Sequence, residues 1–135
     1  MDVCIVCKSI AAINWWWFVA ATIVSFAVGA VWYSWLFTKA WIRVFKVEMG
    51  EVTTSSFVRT MSLQFAATML FGFVFFVLTE ISVGIALLSL LGFCAWETGI
   101  LNFEFSKMKD FFMAVVIRVG YTFFGGIIFI LFGLI

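Results

Sequence analysis

The sequence predicts an all-α membrane protein, a single domain over residues 1–135 that folds as a bundle of four transmembrane helices. Of its 135 residues, 66% are hydrophobic and 11% are charged, whereas a soluble domain is about half apolar and a quarter charged. The mean hydropathy is +1.24, and 19 phenylalanines occur without a single proline. Such a chain has too few polar groups to cover its surface in water, so a membrane is its natural solvent.

Four apolar segments are long enough to cross a bilayer, at roughly 15–37, 57–78, 81–101 and 111–135. Asn14 is a favourable N-cap for the first span. Aromatic clusters, which mark membrane interfaces, stand at both of its ends, at 15–17 and 32–35. A polar break of only four residues at 79–82 separates the second and third spans, so these two are predicted to form an antiparallel hairpin.

Small side chains recur every four residues on the first span, at Ala21, Ser25 and Gly29. This spacing places them on one stripe, which lets another helix approach closely. The stripe is therefore predicted to be a helix-packing surface. The helix that packs on this stripe could belong to the same chain or to a second copy in an oligomer.

The segment from Thr38 to Gly50 is predicted to be an amphipathic helix lying at the membrane surface. Lys39, Arg43 and Lys46 fall on one helical face, with apolar residues mostly opposite. We expect these cations to bind lipid headgroups, either by general attraction to an anionic leaflet or by recognition of one lipid.

Cations are distributed unevenly between the two predicted sides of the membrane. The segments after the first and third spans, together with the start of the second, hold six, and the opposite side holds only Lys8; the six are Lys39, Arg43, Lys46, Arg59, Lys107 and Lys109. The positive-inside rule then predicts that both termini are non-cytoplasmic. Labelling of Cys4 and Cys7 from outside intact cells would check this orientation.

Two ionisable residues interrupt the apolar spans, Glu97 in the third and Arg118 in the fourth. Each lies about ten residues from the middle of the loop between them, so both are predicted at similar depth. They could form a buried ion pair that fixes helix register. Alternatively, they could form a cytoplasm-facing polar site, with Glu97 binding a cation or proton and Arg118 an anionic group. A polar cluster is predicted in the same leaflet, consisting of Tyr33, Ser34, Arg59, Gln64 and Tyr121.

Cys4 and Cys7 form a Cys-x-x-Cys motif near the start of the chain. A redox or metal role would need a thioredoxin-like helix start or a second pair of ligands. Neither is evident from the sequence, so the preferred interpretation is two partly exposed thiols in a short tail, with redox, metal-binding or lipidation roles as alternatives.

The first span carries a motif that resembles a known family. Its elements are Asn-Trp at 14–15, Gly-Ala-Val-Trp-Tyr-Ser at 29–34, Phe37 and Lys-Ala-Trp at 39–41. They resemble the small four-helix membrane proteins catalogued as domain of unknown function 1761, although Trp35 stands where that family usually has Pro and Thr38 where it has Gly. The resemblance implies a bacterial-type integral membrane protein of the plasma membrane. It implies no activity, because the family is itself uncharacterised.

Composition narrows the classes of function. The chain contains no His, the commonest metal ligand and proton carrier, so no metal or other cofactor is predicted. A net charge of +1 gives no indication of nucleic-acid binding. No nucleophile–base pair or phosphate-binding loop is present, so we do not predict an enzyme.

Three functions remain. The preferred one is a structural or assembly protein, either a self-associating scaffold or a subunit of a larger membrane complex, with membrane lipids as its other partners. The second is an oligomeric transporter or channel for a small solute or ion, with its site at Glu97 and Arg118. The third is a protein that binds a lipid, quinone or pigment among its many aromatic side chains.

Overall fold

The computed structural model describes residues 4–46, 50, 53–105 and 107–135, and these residues form helices and connecting turns. Four helices are long and apolar enough to cross a membrane, which confirms the predicted all-α, four-helix arrangement of an integral membrane protein. The helices are α1 Ile5–Ala12, α2 Trp15–Leu36, α3 Thr38–Phe45, α4 Thr54–Ile81, α5 Val83–Glu104 and α6 Met108–Gly133.

Side-chain caps begin two of the long helices. The Asn14 carboxamide oxygen accepts hydrogen bonds from the N–H groups of Trp16 and Trp17, at 3.2 and 3.4 Å. At the start of α4, the Thr53 hydroxyl oxygen accepts from the Ser56 N–H at 3.2 Å. Each cap supplies an acceptor to N–H groups that have no partner within the helix.

The predicted four-residue break between the second and third spans is wrong, because the break in the structure is shorter. Helix α4 continues to Ile81, and Ser82 alone separates it from α5. The Thr79 hydroxyl donates to the Phe75 carbonyl oxygen at 2.7 Å, so its polar group is satisfied inside the helix and does not end it. Helices α4, α5 and α6 also begin or end several residues outside the predicted limits of their spans.

Helix α3 is shorter than the predicted amphipathic segment. It ends at Phe45, because Lys46 adopts a left-handed conformation with φ 49°. Residues 47–49 lie outside the described part of the chain. The buried Val44 joins an apolar cluster with Leu101 and Ala114, so the apolar face of α3 packs on the bundle. Its two cations, Lys39 and Arg43, are exposed, and so is Lys46 directly after the helix.

Helix α6 contacts α2, α4 and α5 and forms the centre of the bundle. Glycines allow these contacts: Gly125 meets Ser25 of α2, Gly126 meets Leu90 of α5, and Gly72 of α4 meets Phe129 of α6. In a bilayer, close packing of this kind drives helix association, because lipid tails are as apolar as the side chains.

The stripe on α2 faces this central helix. Ala21, Ser25 and Gly29 are all buried, and the Tyr121 side chain of α6 covers Gly29. The stripe therefore packs within the chain and gives no evidence for an oligomer.

The apolar core is concentrated at the end of the bundle that carries α1, around Phe18, Phe76 and Phe129. At the other end, none of residues 54–67 in the first half of α4 is buried. The bundle is thus tightly packed around these phenylalanines and open beside the first half of α4.

We predict that Gly72→Ala lowers the unfolding free energy by about 1 to 3 kcal/mol, because the added methyl group overlaps the fully buried Phe129 ring. The control is Gly92→Ala in α5, where the added atom meets nothing within 4 Å. That control should change stability by less than about 1 kcal/mol. Unfolding in mixed detergent micelles measures both, and equal losses would contradict the packing described.

Candidate polar site at Glu97 and Arg118

Glu97 of α5 and Arg118 of α6 form an ion pair within the membrane-spanning part of the bundle. The distance from Arg118 Nε to Glu97 Oε1 is 3.5 Å, which is long for a charge-assisted hydrogen bond. The Glu97 side chain is 11% exposed and that of Arg118 is 43% exposed. Glu97 Oε2 is buried and has no partner among the described residues. The pair is therefore a single-point contact that leaves hydrogen-bonding capacity on both side chains.

Arg118 lies in a π-helical turn, Val115–Val119, and a second π-helical turn, Trp32–Leu36, ends α2. The two are joined, because the Trp32 indole N–H donates to the Ile117 carbonyl oxygen at 2.8 Å. Turns of this kind interrupt the regular hydrogen-bond ladder and are frequent at functional sites. Trp32 thus has a specific partner inside the bundle, in addition to its place at the predicted interface.

Tyr33 and Tyr121 pack edge to face beside this region, with ring centroids 5.4 Å apart. Tyr33 also contacts Trp41 of α3, with centroids 6.1 Å apart. Because Tyr121 follows Arg118 by three residues on α6, the two share one side of the helix. The two tyrosines thus join α6, one turn after Arg118, to α2 and α3.

A partly open cavity of about 220 Å³ lies between the long helices. Its polar lining residues are Ser25, Gln64, Thr68, Tyr121 and Thr122, and its aromatic walls include Phe71 and Phe93. The Thr122 hydroxyl donates to the Arg118 carbonyl oxygen at 3.2 Å. On α5, Glu97 follows Phe93 by one turn. Helices α5 and α6 therefore carry both the ion pair and part of the cavity lining.

The structure does not bring every member of the predicted polar cluster to the pair. Gln64 and Tyr121 line the cavity, and Tyr33 contacts Tyr121. Ser34 is exposed and donates to the Ala30 carbonyl oxygen of its own helix. Arg59 is exposed on the first half of α4.

The predicted polar cluster lacks three of the polar residues that line the cavity, Ser25, Thr68 and Thr122. Ser25 is predicted only as a helix-packing residue, although hydroxyl groups at apolar helix positions are a usable signal of a polar cavity. The π-helical turns had no signal in the sequence.

Among models of protein families, curated proteins and solved structures, no match to this chain was found. The resemblance of the first span to domain of unknown function 1761 therefore stays a prediction.

We predict that Arg118→Leu lowers the unfolding free energy by about 3 kcal/mol, because it leaves the buried Glu97 carboxylate without its cation. Glu97→Gln should cost less, since the half-exposed Arg118 can find other acceptors. In the double variant, most of the loss should be recovered.

Arg59→Leu is the matched control, because Arg59 is exposed and forms no ion pair among the described residues. It should change stability by less than about 0.5 kcal/mol. A double-variant cycle with no coupling energy would contradict an ion pair that contributes to stability.

Proposed function

We propose that the protein is a self-associating structural or assembly protein of the membrane, and that the first half of α4 packs against a second copy. One observation carries this proposal: none of residues 54–67 is buried within the chain, although they belong to a helix long enough to cross the membrane.

The polarity of this segment supports a protein neighbour over lipid. Gln64 lies ten residues after Thr54, about 15 Å along the helix, which is about half the thickness of the hydrocarbon core. A carboxamide at that depth is costly against lipid tails and is normally satisfied by another polar group. The cavity that Gln64 lines is only partly enclosed, so a neighbouring helix there would also shield its polar groups.

The chemistry of Gln64 favours a second copy as that neighbour. A carboxamide has both donor and acceptor atoms, so two Gln64 side chains related by a two-fold axis can satisfy each other. Two copies with the same orientation in the membrane would also bring the two residues to equal depth.

We predict that Thr60→Cys forms disulfide-linked dimers when membranes are oxidised, because Thr60 lies one turn before Gln64 on the same face. The background chain carries Ser at positions 4, 7 and 94 so that no other thiol reacts. Dimers appear on non-reducing gels at twice the mass of the chain.

Ala95→Cys on α5 is the control. Ala95 is exposed and follows Phe93 by two residues, so it lies about 200° around the helix from the cavity. It should cross-link weakly or not at all. Equal cross-linking at both positions, or none at Thr60→Cys, would contradict the proposed interface, and a product of any other mass would indicate a different subunit.

A second function is favoured by the ion pair itself: transport of a small solute or ion. Arg118 is 43% exposed although it lies well inside a membrane-spanning helix, and Glu97 keeps one oxygen without a partner. Such groups would bind a charged or polar species in a wet cleft. Four helices form a narrow pathway, so this function also requires an oligomer.

Proton flux into proteoliposomes, reported by an entrapped pH-sensitive dye, tests this second function. We expect Glu97→Gln to abolish the flux, because the amide does not take up and release a proton. Glu80→Gln, an exposed carboxylate at the α4–α5 end, should leave it unchanged. Absence of wild-type flux, or an equal flux in Glu97→Gln, removes a proton-transport role.

A further inference from the structure

Cys4 and Cys7 do not lie in a free tail, because α1 is docked on the bundle. Ile13 and Ser9 are buried, and Ile10 packs against the core that contains residues of α4. Cys4 stands at the N-cap of α1 and Cys7 in its first turn. Both thiols are free and exposed. No helix start is evident at this motif from the sequence, whereas in the structure Cys4 is the N-cap of α1.

The spacing of the two cysteines suits a reversible disulfide. Residues three apart in a helix have Cα atoms about 5 Å from one another and lie on one face. A disulfide needs Cα atoms separated by about 4.4 to 6.8 Å. The two sulfurs can therefore join without unfolding α1, and both are open to an incoming reactant.

The position of the two thiols at the start of α1 shifts their pKa values in opposite directions. The backbone N–H of Cys7, followed by the Cys7 side chain and the backbone N–H of Val6, lowers the pKa of the Cys4 thiol. The pKa of Cys7 is raised, first because its thiol donates to Cys4 and then because a negative charge on Cys4 repels a second one. Helix starts stabilise a thiolate in this way, so of the two thiols Cys4 ionises more readily.

We propose that Cys4 and Cys7 are a redox-active pair that exchanges electrons with the disulfide of a small molecule or another protein. The Cys4 thiolate attacks one sulfur of that disulfide, whose S–S bond breaks and whose other sulfur leaves as a thiolate and takes up a proton. Cys7 then loses its proton and attacks the Cys4 sulfur of the mixed disulfide. This second step releases the remaining thiol and forms the Cys4–Cys7 bond. The chain loses two electrons and the Cys7 proton; the substrate gains the two electrons and two protons, of which the second comes from water, to which Cys4 gave its proton on ionising.

The surroundings of the pair agree with this role. The third cysteine, Cys94, is half-buried in α5 and stands apart from α1 in the sequence. Among the described residues, no group of three or more metal-ligating side chains is present. In the predicted orientation the pair lies on the non-cytoplasmic side, where disulfides form and persist.

The test uses the full chain with Cys94→Ser in lipid nanodiscs and glutathione disulfide as the probe. After exposure at pH 7, the sample is quenched with acid, alkylated with N-ethylmaleimide and weighed by intact-protein mass spectrometry. We expect a product that has lost both thiols and retains no glutathione. A product that carries two glutathiones, or two thiols that stay unreacted, would overturn the proposal.

Single-cysteine variants test the assigned roles. With Cys7→Ser, the mixed disulfide cannot resolve, so one glutathione should remain on Cys4. With Cys4→Ser, glutathione should add to Cys7 about tenfold more slowly at pH 7, because an ordinary cysteine thiol is mostly protonated at that pH, whereas backbone N–H groups lower the pKa of Cys4. Both residues are exposed, so an unchanged unfolding temperature serves as the folding control. Equal rates of addition to the two variants would overturn the assignment of Cys4 as nucleophile.

Discussion

Close packing around α6 is the constraint on which the rest of this structure depends. Phe129 fills the space over Gly72, Leu90 fills the space over Gly126, and Ser25 lies against Gly125. In lipid, apolar surface alone gives little reason for helices to associate, so contact distance and shape decide which faces meet. Each long helix therefore contacts α6 at a glycine, which leaves room for a larger side chain of the facing helix.

This packing also explains the position of the polar side chains in the bundle. The large side chains and the glycines that receive them lie mainly at the α1 end, around Phe18, Phe76 and Phe129. Farther along, the first half of α4 has no buried residue, and space remains beside it. Polar side chains are tolerable only where water, a polar neighbour or another protein can reach them. Gln64 lies in this open part, so the same imbalance in packing produces both the cavity and the surface proposed for self-association.

The sequence predicts those features that depend on composition and spacing alone. The four spans follow from apolar length, the cap at Asn14 from its side chain, and the meeting of Glu97 with Arg118 from their equal distance to one loop. It does not predict that the Thr79 hydroxyl forms its hydrogen bond within α4, so that the helix continues past it. Nor does it predict α1, because a helix of this length is not stable without tertiary contacts. The side of the membrane on which each end lies stays a prediction from the charge count.

The π-helical turn in α6 shows how the packed end and the polar site are coupled. In a π-helical turn, each N–H bonds to the carbonyl five residues earlier instead of four, so the turn contains about one additional residue. One residue corresponds to about 100° of rotation in an α-helix. The face of α6 before Val115–Val119 is thus rotated relative to the face after it. Ala114 can then pack against Leu101 while Gly125 and Phe129 point toward α2 and α4. Arg118 sits in the turn itself, and Trp32 holds the adjacent carbonyl of Ile117. A change in that turn would alter the direction of Arg118 and the fit of the glycines together, so site and core cannot vary independently.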